Sequence, residues 1–162
     1  MPKLQKLFII PLAIAFLANV AMAQEEKKDD KVIEKGSAAL VGNFKGDKEM
    51  TAKGMEKEGE EFDENLVNMV LETVGQISVN FKKDNTFEVS MSGQEMSGDW
   101  EVKKAKKKKD VYVLEVYTET SEGEEKNFSI EVSKKHIKMT DLDDGGPTIC
   151  FKRQAKDKDK DK

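Results

Sequence analysis

The side chains with the most scope for chemistry in this chain are one cysteine, one histidine and eight methionines. Cys150 lies in the apolar run Thr148–Phe151, a setting typical of a half-buried small hydrophobic side chain. A reactive nucleophile or an intermolecular disulfide is the sharper alternative, and His136 is the one imidazole that could assist such a nucleophile. Because a single thiol cannot form an internal disulfide, the fold must depend on a packed core.

The methionines raise the question of a metal site, because thioethers are ligands of copper in extracytoplasmic proteins. The residues that could converge on a copper ion are Met91, Met96, His136 and Met139. Methionine is also a routine filler of irregular cores, which is the simpler interpretation. Copper binding is therefore kept as a second alternative for the function.

The acidic residues do not form a recognisable catalytic arrangement. They fall in turns, tails and solvent-facing positions, whereas general acid–base catalysis uses histidines or carboxylates held in an apolar site. The sequence contains no nucleophile elbow and no phosphate-binding glycine loop. Asp141–Gly146 resembles the start of a calcium loop, but Gly145 and Lys152 stand where ligands are required. We predict no catalytic residue, no metal ligand and no cofactor.

The first 23 residues have the three-part pattern of a secretory signal peptide. Lys3 and Lys6 form the basic region, Leu7–Ala18 is apolar, and Ala21-Met22-Ala23 places small residues at the cleavage site. The apolar run is shorter than the roughly 20 residues of a membrane span, so no transmembrane anchor is predicted. We expect cleavage after Ala23 and a mature protein in the periplasm or outside the cell.

The chain carries a formal net charge of −4, and 37% of its residues are charged. This acidity argues against nucleic acid as a partner. Lys103–Lys109 is the largest patch of one sign and is predicted to form a basic loop, which would contact anionic lipid or a protein, or would stay solvated. The charged segments at residues 24–37 and 154–162 predict a flexible arm and a disordered tail.

The elements that must position these residues change from helix to strand near Gly75. A helix is predicted over Glu61–Val74, with an apolar stripe formed by Phe62, Leu66, Met69 and Val70. Residues 38–45 predict a first strand, and residues 46–59 predict a loop with some helix. From Ile77 onward apolar and polar residues alternate between short turns, which predicts seven further antiparallel strands.

Eight such strands in sequence order predict an all-β fold, an up-and-down antiparallel β-barrel over residues 38–153, with a two-sheet sandwich as the alternative. A barrel of this size is just wide enough to be filled by side chains or to hold one small ligand. The inward-facing residues are almost all apolar, so a cavity would suit a lipid-like molecule, while a core plugged by the 61–74 helix would use the same residues. The central positions predicted to contact a ligand are Phe81, Phe87, Met91, Trp100, Leu114, Phe128 and Met139.

Three short motifs resemble those of exported bacterial lipocalin-like domains. They are the start Gly42-Asn43-Phe44, the hairpin Phe81–Phe87 and the strand Gly98-Asp99-Trp100, which occur in the order of that group. Asn85 stands in place of the turn glycine, Phe44 stands in place of the tryptophan of true lipocalins, and the helix lies early in the chain. The resemblance implies the fold of a loose lipocalin-like group more than it implies an activity.

The sequence therefore predicts an extracytoplasmic lipocalin-like domain that binds a small hydrophobic ligand and is not an enzyme. The first alternative is a filled-core domain whose surface binds another cell-envelope protein through the lysine-rich segment. The methionine-based copper binder is the second alternative.

Overall fold

The computed structural model of the chain describes residues 29–58 and 64–155. The predicted signal peptide, Phe62 and most of the predicted charged tail lie outside these ranges. The described residues contain three helices, namely residues 29–40 (α1), Lys48–Glu58 (α2) and Glu64–Val74 (α3). The helix predicted before the second strand is thus present as α3, and α2 occupies most of the segment that we predicted as a loop with some helix.

Within the described residues, eight strands form one sheet: β1 (Gly42–Gly46), β2 (Ile77–Phe81), β3 (Thr86–Met91), β4 (Gln94–Lys108), β5 (Val111–Thr120), β6 (Glu125–Val132), β7 (His136–Asp141) and β8 (Ile149–Arg153). Each strand pairs antiparallel with the next, and β1 also pairs with β8, so that the sheet closes on itself. The predicted up-and-down barrel is confirmed, and the sandwich is not formed.

The turns between strands use residues that tolerate a left-handed backbone. Asn85, which stands where the hairpin of lipocalin-like domains has glycine, has a φ angle of 64°. Its carbonyl accepts a hydrogen bond from the backbone N–H of Trp100 at 2.8 Å, which ties the β2–β3 turn to β4. Gly98 is required for a different reason, because a Cβ atom there would overlap the backbone of β5 at Glu119 and Thr120.

The barrel has two distinct ends, which we call the lower end and the upper end. The lower end carries α1 and the turns at residues 82–85, 109–110 and 133–135. The upper end carries the turns at residues 92–93, 121–124 and 142–148, and it is where the chain leaves β1 for α2 and returns from α3 to β2.

Alternation along the strands fills the barrel with apolar side chains. The buried core residues, none more than 7% exposed, are Leu40, Phe44, Val79, Phe81, Phe87, Trp100, Val102, Leu114, Val116, Ile130, Val132, Ile137 and Phe151. All but Leu40 come from strands, so the period-two pattern correctly identified the inner face. Met91 and Met96 were predicted to lie inside as well, but they are 38% and 46% exposed because both lie in the hairpin at the upper end.

Helix α1 completes the core at the lower end. We predicted a flexible arm over residues 24–37, but its described part, residues 29–37, is helical. Ile33, Gly36 and Leu40 lie on one helical face, and Leu40 is fully buried among the barrel side chains. A Cβ atom at Gly36 would meet the Leu114 side chain at 2.5 Å, so the glycine permits the helix to approach β5 closely.

Arg153 of β8 fastens the end of α1 to the barrel. Its guanidinium donates hydrogen bonds to the backbone carbonyl of Val41, at 2.8 Å, and to that of Ala39. The same group lies over the ring of Phe44, 4.5 Å from the ring centroid. The last strand therefore fixes the carbonyl end of the first described helix, where unpaired backbone acceptors need partners.

Helix α2 covers the outside of β8 where β1 separates from it. The backbone N–H of Asp47 donates to the carbonyl of Cys150 at 2.8 Å, and the backbone N–H of Cys150 donates to the Thr51 hydroxyl at 3.0 Å. Asp47 also caps α2, because its carboxylate accepts from the N–H of Met50 at 3.0 Å. Cys150 is only 1% exposed beneath this helix, which matches a structural cysteine.

Helix α3 packs against α2. Among the described residues, no side chain of α2 or α3 belongs to the core cluster of the barrel. Of the apolar stripe predicted for the 61–74 helix, Met69 is 60% exposed and Val70 is half-buried, so these two side chains do not fill the barrel. The helical side chain that enters the core is Leu40 of α1.

Truncating Leu40 tests whether α1 is part of the folded domain. Because Leu40 is fully buried, we expect Leu40→Ala to lower the free energy of unfolding by about 3 kcal/mol. Lys35→Ala, an exposed site on the same helix, provides the control and should change stability by less than about 0.5 kcal/mol. Urea denaturation measures both, and equal stability of the two variants would show that α1 does not contribute to the core.

Candidate functional site

The predicted ligand-contacting residues fall into two groups in the structure. Phe81, Phe87, Trp100 and Leu114 are at most 5% exposed and lie in the middle of the core. Phe128 and Met139 are partly buried and pack against that core, and Met91 is exposed at its edge. The first four side chains therefore fill the barrel, and the other three lie nearer its upper end.

Aromatic rings occupy the centre of the barrel. Phe44 and Phe81 make an edge-to-face contact with ring centroids 6.3 Å apart, and Phe81 makes a second one with Trp100 at 5.7 Å. The indole N–H of Trp100 donates to the carbonyl of Thr86 at 3.0 Å, so this buried polar atom is satisfied. An eight-stranded barrel is either filled by its own side chains or holds one small ligand. Here the core side chains are at most 7% exposed and fill the centre, so a ligand would be held away from it.

The inward-facing side chains at the upper end are covered less completely. This group, which we call the mouth, consists of Ile77, Val89, Met91, Met96, Phe128, Met139 and Ile149. Strand pairing brings its members together, since Ile77 is opposite Met91, Val89 is opposite Met96, and Ile149 is opposite Met139. The mouth thus forms an apolar surface on top of the filled core.

Sequence reasoning placed every mouth residue on the inner face, and its predicted contact set includes three of them, Met91, Phe128 and Met139. Separating the mouth from the filled centre requires knowing where each strand ends relative to its neighbours. In this register, Met91 and Met96 extend beyond the residues that β1 and β8 contribute to the core. The sequence contains one indication of the mouth, because the methionines of the short β3–β4 hairpin lie on either side of the Ser92-Gly93 turn.

The rim of the upper end is acidic. The turns there carry carboxylates at Glu122, Glu124, Glu125, Asp141, Asp143 and Asp144. Asp141 accepts hydrogen bonds from the backbone N–H groups of Asp144, at 3.1 Å, and Asp143, at 2.8 Å, and it faces the ammonium of Lys126. These bonds, the one from Asp144 foremost, lower the pKa of Asp141 below its ordinary value.

This acidic turn is organised by its own hydrogen bonds. Asp143 accepts from the backbone N–H of Asn127 at 2.8 Å, and Asp144 pairs with Lys126. The carboxylates of the predicted turn therefore already have protein partners. The described residues contain no group of three His, Cys, Asp or Glu side chains that could hold a metal ion.

The residues proposed for a copper site do not converge. His136 begins β7 at the lower end, where its Nδ1 lies 3.1 Å from the Ser133 hydroxyl. Met91 and Met96 lie at the opposite end of the barrel, and Met139 lies toward that same upper end. The four-residue copper site is therefore wrong, because β7 separates its histidine from the methionines.

The lysine-rich segment is a strand rather than the predicted basic loop. Residues up to Lys108 continue β4 after a bulge between Val102 and Lys104, and the turn itself is confined to Lys109 and Asp110. Lys107 lies over the ring of Tyr112, 5.8 Å from its centroid. Antiparallel pairing with β5 thus holds the lysines in a defined array.

A groove with a volume of about 770 Å³ lies on the outer surface of the barrel, across β1–β4. Its polar lining includes Asn43, Asn80 and Glu88, and Glu88 is paired with Lys82 of the β2–β3 turn. The hydrogen bond from Lys82 lowers the pKa of Glu88 below its ordinary value. Val89 and Met96 of the mouth also border this groove, but most of its lining is polar or charged.

Removing the charge of Asp141 tests the hydrogen-bonded turn. Because the pKa of Asp141 is lowered in the folded chain, its contribution to stability is complete above the unfolded pKa of about 4. That contribution is lost as the pH falls through the folded pKa. We expect Asp141→Asn to destabilise the protein by about 1 kcal/mol at pH 7, and the deficit to shrink as the pH falls below about 4.

Thermal unfolding at pH 7, 4 and 2 measures this dependence. Asp110→Asn, in the exposed turn at the lower end, removes one carboxylate as a control and should unfold like the parent at all three values. A deficit of Asp141→Asn that stays constant across the range would contradict the assigned cause.

No helix within the described ranges is both long enough and apolar enough to cross a membrane.

The candidate site is the mouth of the barrel, with the acidic rim beside it. We found no protein-family model, no curated protein and no solved structure that matches this chain.

Proposed function

We propose that this protein is an exported, non-catalytic lipocalin-like domain that binds a small hydrophobic ligand at the mouth. One observation carries the proposal: the inward-facing side chains of Met91 and Met96 are 38% and 46% exposed at the upper end. At the lower end, by contrast, the partly buried inward-facing side chains Ala105 and Tyr112 lie against Gly36 of α1. Covering the exposed methionines with an apolar ligand removes them from water, which is favourable.

The filled centre limits how strongly a ligand can be held. A ligand that covers roughly 200–300 Å² of apolar surface gains about 5–8 kcal/mol at 25 cal/mol per Å². Lost translational and rotational freedom offsets part of this gain. We therefore expect a dissociation constant weaker than about 10 μM, and much weaker than for a ligand enclosed by a hollow barrel.

The lining indicates the chemical class of the ligand. Met91 and Met96 have flexible, polarisable side chains that adapt to different shapes, and the mouth side chains carry no hydrogen-bonding group to orient a polar molecule. The carboxylates of the rim disfavour an anion beside them. A neutral molecule with an acyl chain fits these properties best.

Export is supported by the sequence of residues 1–23, with its basic start, apolar run and small residues at Ala21 and Ala23. A non-catalytic role is supported by the mouth itself, whose side chains are hydrocarbons and thioethers with no titratable group. Both statements belong to the proposal.

The proposal is tested with the neutral fluorescent probe N-phenyl-1-naphthylamine and the full chain. We expect saturable binding with one site per protein and displacement by monolaurin, a neutral acyl ligand. Met96→Glu puts a charge on the inner face of the mouth and should weaken binding by about tenfold or more. Thermal unfolding confirms that the variant remains folded.

Ser97→Glu is the matched control, because Ser97 is the next residue of β4 and faces outward. It adds the same charge and should leave the affinity within twofold of the parent. The two variants share residues 1–23, so any probe held by that apolar segment cancels in the comparison. Equal affinity of the two variants, or fluorescence that never saturates, would refute the proposal.

A further inference from the structure

Charge is divided between the two ends of the barrel. The turns of the lower end carry Lys83, Lys109, Lys134 and Lys135, and Lys106–Lys108 adjoin them at the end of β4. Asp84 and Asp110 are the acidic residues of these turns, and Asp84 is engaged by the Thr86 hydroxyl at 2.7 Å. The upper end has the opposite sign, since its turns carry the acidic rim described above. The turns at the two ends therefore differ in the sign of their charge, and α1 at the lower end adds Asp29, Asp30 and Glu34 beside Lys31 and Lys35.

The lysines of the lower end differ from those on the barrel wall. Lys104 and Lys138 on the strands form ion pairs with Glu115 and Glu131, and Lys82, the first residue of a lower turn, pairs with Glu88. Among the described residues, no ion pair involves the other lysines of the lower end, namely Lys83, Lys106, Lys107, Lys108, Lys109, Lys134 and Lys135. Their charge is thus available to an external anionic partner.

The lower end is also poor in exposed apolar side chains. The large hydrophobic residues exposed on the described surface are Met69, Met91, Met96 and Leu142, which lie on α3 or at the upper end. A partner of the lower end would therefore be held by charge rather than by inserted hydrophobic groups. Such binding is reversible and weakens as salt screens the charges.

The arrangement of the lysines indicates the shape of the partner. They come from three separate turns around one end of a closed barrel rather than from a line along a groove. Lysine presents a point charge without the bidentate geometry of arginine, which suits a fluid array of headgroups. No exposed aromatic residue alternates with the turn lysines, as stacking on nucleic-acid bases would require.

We propose that the lower end is a docking face for an anionic lipid bilayer. The lysines of the three turns contact the headgroups, and the acidic upper end points away from the surface. In this orientation the mouth faces the aqueous phase. The inference does not depend on ligand binding at the mouth, because the two involve opposite ends of the barrel.

The test uses the full chain with two kinds of vesicle, phosphatidylcholine alone and phosphatidylcholine with 30% phosphatidylglycerol, in a flotation assay at 50 mM and 300 mM NaCl. The readout is the ratio of binding to the anionic and the neutral vesicles, which removes any contribution of the apolar residues 1–23. We expect a preference for anionic vesicles at 50 mM NaCl that is largely lost at 300 mM.

Two triple variants distinguish binding through the lower end from attraction that depends on the net charge of the protein alone. Lys83→Gln/Lys109→Gln/Lys134→Gln removes one charge from each lower turn, and we expect affinity for the anionic vesicles to fall about 30-fold or more. Lys45→Gln/Lys53→Gln/Lys138→Gln removes as many charges from exposed positions on β1, α2 and β7, and it should stay within threefold of the parent.

Equal weakening of the two variants would overturn the proposal, because net charge alone would then explain binding. The absence of any preference for anionic vesicles at 50 mM NaCl would also overturn it. Binding to immobilised polyglutamate without binding to the vesicles would assign the lower end to an acidic protein partner instead of a lipid surface, and would equally refute it.

Discussion

Closure of the sheet by pairing of β1 with β8 is the constraint on which the rest of the structure depends. The register places Phe44 opposite Arg153 and Gly46 opposite Phe151. It turns the inner faces of eight strands toward one another, so that half of each strand's side chains are removed from water together. It also brings Arg153 within reach of the end of α1, and it leaves the outer side of Cys150 to be covered by α2. A one-residue slip at this seam would exchange the inner and outer faces of β1.

Much of this architecture could be predicted from the sequence because a strand's side chains alternate strictly between two faces. Alternation from Ile77 onward identified the strands, and short polar turns between them required antiparallel neighbours. The inner face at Phe81, Trp100 and Leu114 followed directly. The order of three short motifs resembles that of lipocalin-like domains, and the closed eight-stranded barrel is consistent with that resemblance.

The remaining features depended on information that a local pattern does not contain. Helix α1 was missed because charged residues surround the stripe formed by Ile33, Gly36 and Leu40. Gly36 lies against the Leu114 side chain, and this contact is not visible in the local sequence. Lys103–Lys109 was assigned to a loop because like charges repel in isolation, whereas pairing with β5 keeps most of the segment extended. Predicting the mouth requires knowing how the strand ends are staggered, and the pattern of a single strand does not specify this.

The filled centre and the charge division together define how the molecule would interact with its surroundings. Aromatic packing at Phe44, Phe81 and Trp100 makes the middle of the barrel a rigid spacer between two chemically different ends. Apolar contact is available at one end and positive charge at the other. Since the strands run continuously between them, the two surfaces are held at a fixed separation and orientation.

The Arg153 contact to Ala39 and Val41 has a consequence for biogenesis. The first described helix is seated by a side chain near the opposite end of the polypeptide, and the seam of the barrel is made from the first and last strands. Neither contact can form until β8 has been synthesised, although β8 follows α1 by more than 100 residues. Closure of the barrel and seating of α1 therefore both wait for the same strand.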